Sequence, residues 1–311
     1  MNPIAEMLDH LTIQDPQTFG GLILFPLTAA TVRAPDYRTL DEALERKIAR
    51  VTEISEGGSV PELRFENLSD ERILLVDGEE LIGVRQNRVL NLTILVGARR
   101  QVVIPVSCVE RGRWAYVSRQ FRSSRRKLFA KARAAKAEQV SESLRSEGSR
   151  RSDQARIWAD VAEVSALHRV RSATGSMADV YGQKRDHLAE YETAFQALAD
   201  QSGAVFAING RIVGLECFDA KETFERLLSK LATSYALDAI GATDQLAAAP
   251  SLDDVARFLK AIQIASTTTY PALGEGTDLR LEAPGLAGGA LIEGDRVVHL
   301  AAFTIEETGE S

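Results

Sequence analysis

Residues 77–88, DGEELIGVRQNR, place carboxylates, guanidiniums and amides close together, directly after the apolar run ILLV. An Asp77-Gly78 turn explains the first two residues, but it requires none of the polar side chains that follow. Carboxylates carry out acid–base chemistry or hold metals, arginine binds phosphate, and amides recognise a ribose or a base edge. The pattern predicts a ligand site made of Glu79, Glu80, Arg85, Gln86, Asn87 and Arg88. The structural alternative is a solvated loop with surface ion pairs.

A second polar stretch, SCVERGRW, contributes Glu110, Arg113 and Trp114, which are predicted to face the same site. The cysteine in this stretch, Cys108, has apolar neighbours and no histidine nearby in the sequence. A nucleophilic cysteine needs a cation or a helix N-terminus to lower its pKa. We therefore interpret Cys108 as a buried structural thiol, and Cys217 in the stretch GLECFD in the same way.

Residues 111–156, called here the basic segment, contain fourteen lysines and arginines against four acidic residues, a net charge of +10. The whole chain carries −7, so the remaining residues carry −17. This asymmetry predicts an exposed arm or helix over residues 119–136 that contacts nucleic acid or another acidic partner. The predicted polyanion-binding residues are Arg122, Arg125, Arg126, Lys127 and Arg133. The alternative is pairing with acids of the same chain or across an oligomer.

Familiar metal-binding and catalytic motifs are absent from the sequence. The four histidines, His10, His168, His187 and His299, form no HExxH, HxH or CxxC-type grouping, so no zinc site is predicted. A carboxylate-held Mg²⁺ remains compatible with the sequence, because such sites use few protein ligands and no fixed spacing. No P-loop, no GxGxxG after a strand and no GxSxG occurs. His299 lies in an apolar strand pattern and is interpreted as a satisfied or partly buried histidine.

The elements that must position these residues alternate between β-rich and helical stretches. Residues 20–118 are rich in Val, Ile and Thr and are predicted to be mostly β. Residues 119–200 have the composition of a basic-to-amphipathic helical insertion, with a break at 146–152 and a helix capped by Ser152. One stripe of this insertion comprises Leu188, Tyr191, Phe195 and Leu198. Further helices are predicted at about 220–237 and, after Ser251 as the cap, at 252–266.

Three stretches have the pattern of a β-hairpin: ILLVDGEELIG, VFAINGRIVG and ALIEGDRVVHL. Asn209-Gly210 gives the strongest signal, because both central residues of a type I′ turn need a positive φ. The likeness is compatible with an internal duplication, although the residue preferences of β-hairpins alone would produce it as well. The predicted fold is α+β, a mainly antiparallel sheet built from hairpins with helices inserted between strand groups. No linker divides the chain, so residues 1–311 are predicted to form one unit.

Composition is typical of a soluble protein. The chain has 311 residues, 45% of them hydrophobic and 26% charged, and two cysteines, which make no disulfide framework. The first residues carry acids and lack the basic start and apolar run of a signal peptide. The most apolar stretch, residues 20–32, is too short to cross a bilayer. We expect a cytoplasmic protein without a membrane partner.

Five segments of the sequence resemble the ARPP family, whose name abbreviates ADP-ribosylglycohydrolase and rhodanese-phosphatase associated protein. They are VDGEELIGVRQNRVLN, IPVSCVERGRW, SDQARIWADV, SATGSMADVY and FAINGRIVGLECFD. The resemblance implies a protein whose genes accompany NAD and ADP-ribose metabolism. It assigns no catalytic residue to any position.

Two classes of function follow. The first is a protein that binds, and in an enzyme also processes, a nucleotide-like small molecule through the polar residues at 79–88 and 110–114. The second is an interaction module that binds nucleic acid or an acidic partner through the basic segment. The density of the polar cluster and the setting that the resemblance implies favour the first class.

Overall fold

The computed structural model describes residues 2–30, 33–55, 61–113, 118–241 and 248–305. Within these ranges the predicted α+β fold with mainly antiparallel sheets is confirmed. The helices are α1 (Pro3–Asp9), α2 (Leu40–Glu45), α3 (Ala130–Glu147), α4 (Gln154–Leu167), α5 (Met177–Gln183), α6 (Arg185–Ala194), α7 (Lys221–Gly241) and α8 (Leu252–Ile264). None of them is long and apolar enough to cross a bilayer.

The strands form three sheets. In chain order they are β1 (Leu11–Ile13), β2 (Gln17–Phe19), β3 (Leu22–Ala29), β4 (Tyr37–Thr39), β5 (Ala49–Glu53), β6 (Glu62–Asn67), β7 (Arg72–Leu75), β8 (Glu79–Gly83), β9 (Arg88–Leu90), β10 (Ile94–Val96), β11 (Gln101–Cys108), β12 (Phe121–Lys127), β13 (Gln201–Ile208), β14 (Arg211–Phe218), β15 (Ser266–Pro271), β16 (Thr277–Ala283), β17 (Leu286–Glu293) and β18 (Arg296–Thr304).

The chain groups into two compact units. Unit 1 comprises Met1–Pro35, Glu190–Pro271 and Gly276–Ser311, and unit 2 comprises Asp36–Ala189 and Ala272–Glu275. The grouping describes compactness rather than independent folding. The prediction of one unit over residues 1–311 therefore stays a prediction.

Unit 1 is built on a nine-stranded sheet in the order β1-β3-β13-β14-β18-β17-β16-β15, with β2 also paired to β3. The predicted Asn209-Gly210 hairpin is confirmed, and both turn residues have a positive φ, 47° and 76°. The β17–β18 hairpin is confirmed as well. The interpretation of His299 also holds: it is 1% exposed, and its Nε2 lies 2.9 Å from the Glu216 carboxylate.

Unit 2 contains the other two sheets, which share one apolar core. The six-stranded sheet has the order β12-β8-β9-β11-β6-β5, and the three-stranded sheet has the order β10-β7-β4. The pair β4–β7 is parallel and the other pairs are antiparallel. Phe65 and Leu81 from the larger sheet pack with Ile73 and Ile94 from the smaller one. Residues 77–88 therefore leave one sheet and enter the next.

The predicted hairpin at Asp77-Gly78 is wrong. β7 pairs with β4 and β10, whereas β8 pairs with β9 and β12, so the turn connects two sheets. Gly78 has a φ of 78°, which suits the turn, but the arms on either side find partners elsewhere in the chain. The Asp-Gly turn determines where the chain changes direction. Packing in the core determines which strands pair on either side of it.

The basic segment is not the arm or helix that was predicted over residues 119–136. Residues 121–127 form β12, an edge strand paired to β8, and the helix α3 begins only at Ala130. Two boundaries also differ: α4 is capped by Asp153 rather than Ser152, and both Phe195 and Leu198 of the predicted stripe lie beyond the end of α6.

Candidate functional site

A fully buried carboxylate, Glu80, lies at the centre of the polar residues of unit 2. Glu80 is on β8, between β9 and β12, and its side chain is 0% exposed. Among the described residues, none makes a hydrogen bond of ordinary geometry to either carboxylate oxygen. Burying a polar group in this way costs free energy, so such a group calls for an explanation in a folded protein.

A β-bulge in β12 surrounds Glu80 with polar residues. The register between β8 and β12 jumps between Ser123 and Lys127, so that residues 124–126 all lie opposite Glu80. Arg125, at the middle of the bulge, has a φ of 59°, which is uncommon for a residue with a side chain. Bulges re-aim side chains and are frequent beside functional sites. The bulge is therefore the element that gives Glu80 its surroundings.

Burial raises the pKa of Glu80 to about 7, since a desolvated carboxylate is disfavoured relative to the neutral acid. The Ser124 hydroxyl and the Arg126 guanidinium oppose this increase, and the negative charge of Glu110 adds to it. Ser124 favours the charged form of Glu80, while neither Glu80 oxygen has a hydrogen bond of ordinary geometry within the described structure. Near neutral pH the carboxyl exists in both protonation states, which is the condition for general acid–base chemistry.

Arg126 is held near Glu80 by contacts with α5. Its Nη1 donates a hydrogen bond of 3.1 Å to the carbonyl oxygen of Ala178, and the guanidinium carbon lies 5.4 Å from the centre of the Tyr181 ring. The Tyr181 hydroxyl donates in turn to the carbonyl oxygen of Lys127, at 2.7 Å. These contacts fix one cation beside the buried carboxylate.

A second carboxylate, Glu110, organises a network of hydrogen bonds. Its Oε2 accepts from the backbone N–H of Asn87 at 3.2 Å and from Arg113 Nη2 at 2.7 Å, and its Oε1 accepts from the Thr174 hydroxyl at 3.0 Å. Arg113 Nη2 also donates to the Asn87 side-chain oxygen at 3.1 Å. Three separated stretches of the chain therefore meet at one acid.

Gln86 connects this network to a buried cation. Its side-chain nitrogen donates to the backbone carbonyl of Glu110 at 3.0 Å, and its side-chain oxygen accepts from Arg88 Nη1 at 2.9 Å. Arg88 is 0% exposed, and burial lowers the pKa of its guanidinium. Cys108 pairs with Arg88 across β9 and β11, and the negative charges of Glu53 and Glu110 favour the positive charge of the guanidinium.

The segment 172–181 packs against the network. Met177 N–H donates to the carbonyl of Val109 at 2.9 Å, and Gly112 N–H donates to the carbonyl of Thr174 at 2.6 Å. A Cβ atom at Gly112 would lie 2.9 Å from the Thr174 Cα, so only glycine allows this approach. The close packing explains how Thr174 reaches Glu110.

Helix α4 closes the edge of β11 beside the site. The Gln154 side chain accepts from the N–H of Cys108 at 2.8 Å and donates to the carbonyl of Cys108 at 2.8 Å, as a neighbouring strand would. Cys108 itself is 0% exposed. Its assignment as a structural thiol rather than a nucleophile stays a prediction.

Several cations of the basic segment are buried rather than exposed. Lys136 Nζ pairs with the Asp77 carboxylate and donates to the carbonyl of Asn91 at 2.8 Å. Arg133 Nε donates to the carbonyl of Leu128 at 3.0 Å. Helix α3 therefore uses its basic residues to hold the turn between the two sheets of unit 2, so Arg133 cannot serve an exposed arm.

The structure brings most of the predicted ligand residues together. Gln86, Asn87, Glu110 and Arg113 form one network, and the charge of Glu110 acts on Glu80. The remaining predicted ligand residues divide as follows: Arg88 is buried beneath the network, Glu79 accepts from the N–H of Val76 at 2.8 Å, Arg85 is half-buried, and Trp114 lies outside the described residues. Ligand binding by these residues stays a prediction.

The predicted polyanion-binding residues separate into two groups. Arg122 and Arg125 are exposed on the edge strand β12, and Arg126 is half-buried. Lys127 and Arg133 are 0% exposed, because β12 and α3 turn them into the core of unit 2. Any polyanion surface must therefore exclude the last two residues.

Sequence reasoning missed Ser124, Thr174 and Tyr181, which complete the site. Ser124 acts on Glu80 through the bulge in β12, and nothing in the stretch FRSSRRK signals that bulge. Thr174 and Tyr181 lie in the stretch SATGSMADVY, one of the five segments that resemble the ARPP family. Its small residues and Ser176, which caps α5, signal a tightly turned segment that can approach other backbone closely.

Metal ligands are not grouped at this site. Within the described ranges no three histidine, cysteine, aspartate or glutamate side chains lie close enough together to hold a metal ion. The chemistry that the arrangement offers is therefore that of a buried carboxyl with a neighbouring guanidinium, hydroxyls and amides.

The profile of the ARPP-1 family, described as "ARG and Rhodanese-Phosphatase-superfamily-associated Protein domain", matches residues 10–303 of the chain. No curated protein and no solved structure matches the chain at a significant level. The family match covers both units, including all the residues of the site.

Proposed function

The chain belongs to the ARPP-1 family, and we propose that the residues around Glu80 bind a nucleotide-like ligand of NAD or ADP-ribose metabolism. The family's association with ADP-ribosylglycohydrolase and rhodanese-phosphatase proteins supports the class of ligand. The geometry in unit 2 supports the residues around Glu80 as the binding site. The same residues are also suited to catalysing a reaction of the bound ligand.

The observation that carries the proposal is the state of Glu80. A carboxylate that is 0% exposed and lacks an ordinary hydrogen bond within the described structure is unfavourable for folding. Natural proteins keep such costs mainly where function needs them. A ligand that donates hydrogen bonds to Glu80 would remove the cost on binding.

The neighbouring cations suit the charged part of such a ligand. Arg126 lies beside Glu80, and Arg113 lies beside Glu110, each partly accessible to solvent. Guanidinium groups bind phosphate oxygens through pairs of parallel hydrogen bonds, which makes arginine the common residue for this task. The acids would then face hydroxyl or amide groups of the ligand, and the arginines its phosphates.

Glu80 is also suited to proton transfer. A carboxyl whose pKa is raised by burial to about 7 can accept or donate a proton at physiological pH. Perturbed carboxyls of this kind are enriched at active sites. If the protein processes its ligand, Glu80 is the residue that we expect to act as the acid or base.

A thermal-shift panel tests the proposal. The protein is heated with ADP-ribose, NAD, AMP or inorganic phosphate, each with and without Mg²⁺, and ligands that bind only the folded state raise its melting temperature. A ligand at 100 times its Kd stabilises by about 2.7 kcal/mol. Glu80→Ala should remove the response. A matched control is Glu163→Gln, an exposed acid of unit 2 paired with Lys131, which should retain it.

Absence of stabilisation by every nucleotide at millimolar concentration would reject the proposal. A response that Glu80→Ala and Glu163→Gln retain equally would place the ligand elsewhere in the chain. The Mg²⁺ arms show whether the ligand arrives as a metal complex, for which its phosphates would supply most of the oxygen ligands.

A second function, binding of a polyanion, is proposed for the exposed part of the basic segment. It is favoured by Arg122 and Arg125, which project from the edge strand β12. Binding of duplex DNA should weaken with salt, with a log–log slope near −0.9 for each phosphate neutralised. Charge reversal at Arg122 should reduce that slope. If no DNA or RNA binds at low salt, this function is rejected.

A further inference from the structure

Glu80 offers two acceptor oxygens side by side, and neither has a partner of ordinary geometry among the residues described here. An ionised carboxylate can only accept hydrogen bonds, so the group that completes it must donate two of them. Two parallel hydrogen bonds to one carboxylate are the arrangement that an arginine fork achieves. The question is which ligand group would do the same inside unit 2.

The charges around Glu80 narrow the choice. A phosphate or carboxylate is disfavoured there, because Glu80 and Glu110 both carry negative charge when ionised. A cationic ligand group would be repelled by Arg126, which lies beside Glu80 on the bulge. A metal ion lacks a sufficient set of protein ligands within the described structure. Neutral donors remain, namely hydroxyl and amide groups.

We propose that Glu80 binds two adjacent hydroxyl groups of the ligand, so that the site requires a vicinal diol of the ribose type. This inference rests on the proposed function, since it names the part of the nucleotide-like ligand that the site recognises. An acidic residue that binds ribose hydroxyls is an established solution to the same problem in dinucleotide-binding folds. In those folds the acid occupies a different position in the fold, so the likeness to Glu80 is limited to a carboxylate that accepts hydrogen bonds from ribose hydroxyls.

The bulge contributes to this recognition. The Ser124 hydroxyl accepts a hydrogen bond of 3.1 Å from the N–H of Arg126, and it also lies near the Glu80 carboxylate. The bulge therefore places one more polar group against the same part of the ligand. Arg126, fixed by Ala178 and Tyr181, is then the cation of the bulge that is available to the phosphate on C5 of such a ligand.

The site should discriminate strongly between ribose and deoxyribose. A site that hydrogen-bonds a substrate hydroxyl rejects the analogue that lacks it, because its own buried polar groups are left unpaired. With the 2-hydroxyl missing, one Glu80 oxygen would again have no donor. We expect binding at least about tenfold weaker, as one lost hydrogen bond to a charged group implies.

Calorimetric titration with two pairs of probes tests the inference. The pairs are AMP with 2′-deoxy-AMP, and ribose 5-phosphate with 2-deoxyribose 5-phosphate. The expected result is tighter binding of the diol in each pair, with the difference reduced in Glu80→Gln, which keeps one acceptor, and retained in Glu163→Gln. Because the main comparison uses the unaltered protein, it stands even if a Glu80 variant fails to fold.

The outcomes separate this inference from the function on which it rests. Equal binding of the diol and deoxy probes would overturn the diol requirement and leave nucleotide binding intact. Binding of neither AMP, ADP-ribose nor a sugar phosphate would overturn the proposed function and the diol requirement together. A preference for the diol that Glu80→Gln leaves unchanged would assign the recognition to another residue.

Discussion

Replacing Glu80 by glutamine should stabilise the folded protein at pH 8 and leave its stability nearly unchanged close to pH 4.5. Because burial raises the pKa of Glu80, the folded state holds a proton at pH values where the unfolded chain has released it. The contribution of this group to the free energy of unfolding therefore falls as pH rises from about 4.5 to 7, and it is constant above that. Glutamine has a similar shape and never ionises, so it escapes the loss.

The magnitude follows from the two pKa values. Glu80 changes from 4.5 when unfolded to about 7 when folded, and each pKa unit corresponds to about 1.4 kcal/mol. The ionised carboxylate therefore costs the wild-type protein about 3 kcal/mol at pH 8. This is a large share of the stability of an ordinary domain. A gain of this size from a single conservative change would be unusual for a residue with only a structural role.

Urea denaturation of both proteins at pH 5 and at pH 8 measures the effect. The stability difference between Glu80→Gln and wild type should grow by about 2 to 3 kcal/mol from the lower to the higher pH. The control variant Glu163→Gln, at an exposed position, should stay within about 0.5 kcal/mol of wild type at both. If Glu80→Gln is less stable than wild type at pH 8, the carboxylate is satisfied in the fold and the reasoning on its cost is refuted.

Three further predictions concern the structure around the site. Lys136→Met should destabilise unit 2 by about 3 to 5 kcal/mol in urea denaturation, because it leaves the Asp77 carboxylate buried without its cation. The double variant with Asp77→Asn should recover much of that loss. If the losses of the two single variants simply add in the double variant, the pairing is contradicted. Gly112→Ala should cost about 1 to 3 kcal/mol, since a Cβ there meets backbone atoms that cannot yield. Gly182→Ala should cost nothing, because a Cβ there meets no described atom within 4 Å outside its chain neighbours and its own helix backbone. Equal melting temperatures for the two variants would show that the docking of residues 172–181 is loose. Cys108, 0% exposed, should resist alkylation by iodoacetamide in the native protein and react only after unfolding, so rapid native labelling followed by peptide mapping would disprove its structural role.

Local chemistry was sufficient to predict some elements of the fold. The Asn209-Gly210 hairpin follows from two residues that tolerate positive φ, and the α8 start follows from the capping box of Ser251 with Asp254. In both cases the interactions that fix the element lie within a few residues. These two elements therefore form without contacts to distant parts of the chain.

The sequence could not predict which strands pair across large separations. The turn at Asp77-Gly78 has hairpin chemistry, yet its arms join different sheets because each is buried against a distant strand. The same limit applies to the site. The polar run around Glu80 was enough to predict that this residue belongs to a site. Its lack of a hydrogen-bond partner of ordinary geometry depends on the register of β12, which lies about forty residues further along the chain.

Composition also gave a misleading picture of the basic segment. A run of ten cations without an acid, from Arg111 to Lys136, reads as a solvated surface. In the fold, Lys127, Arg133 and Lys136 are each 0% exposed, and Lys136 pairs with Asp77, an acid outside the basic segment. Net charge along the sequence counts cations and acids without showing which of them meet in space.

The strand order of unit 1 has a consequence for synthesis on the ribosome. β3, an apolar strand whose residues 22–27 are buried, lies between β1 and β13, and β13 follows it only after about 170 residues. At about 5 to 20 residues per second, β3 waits on the order of 10 to 30 s for that partner. Pro26 in the middle of the strand lacks an N–H and so weakens its pairing with a neighbouring nascent chain. A proline that seems out of place in a central strand is thus suited to protecting the chain before the sheet exists.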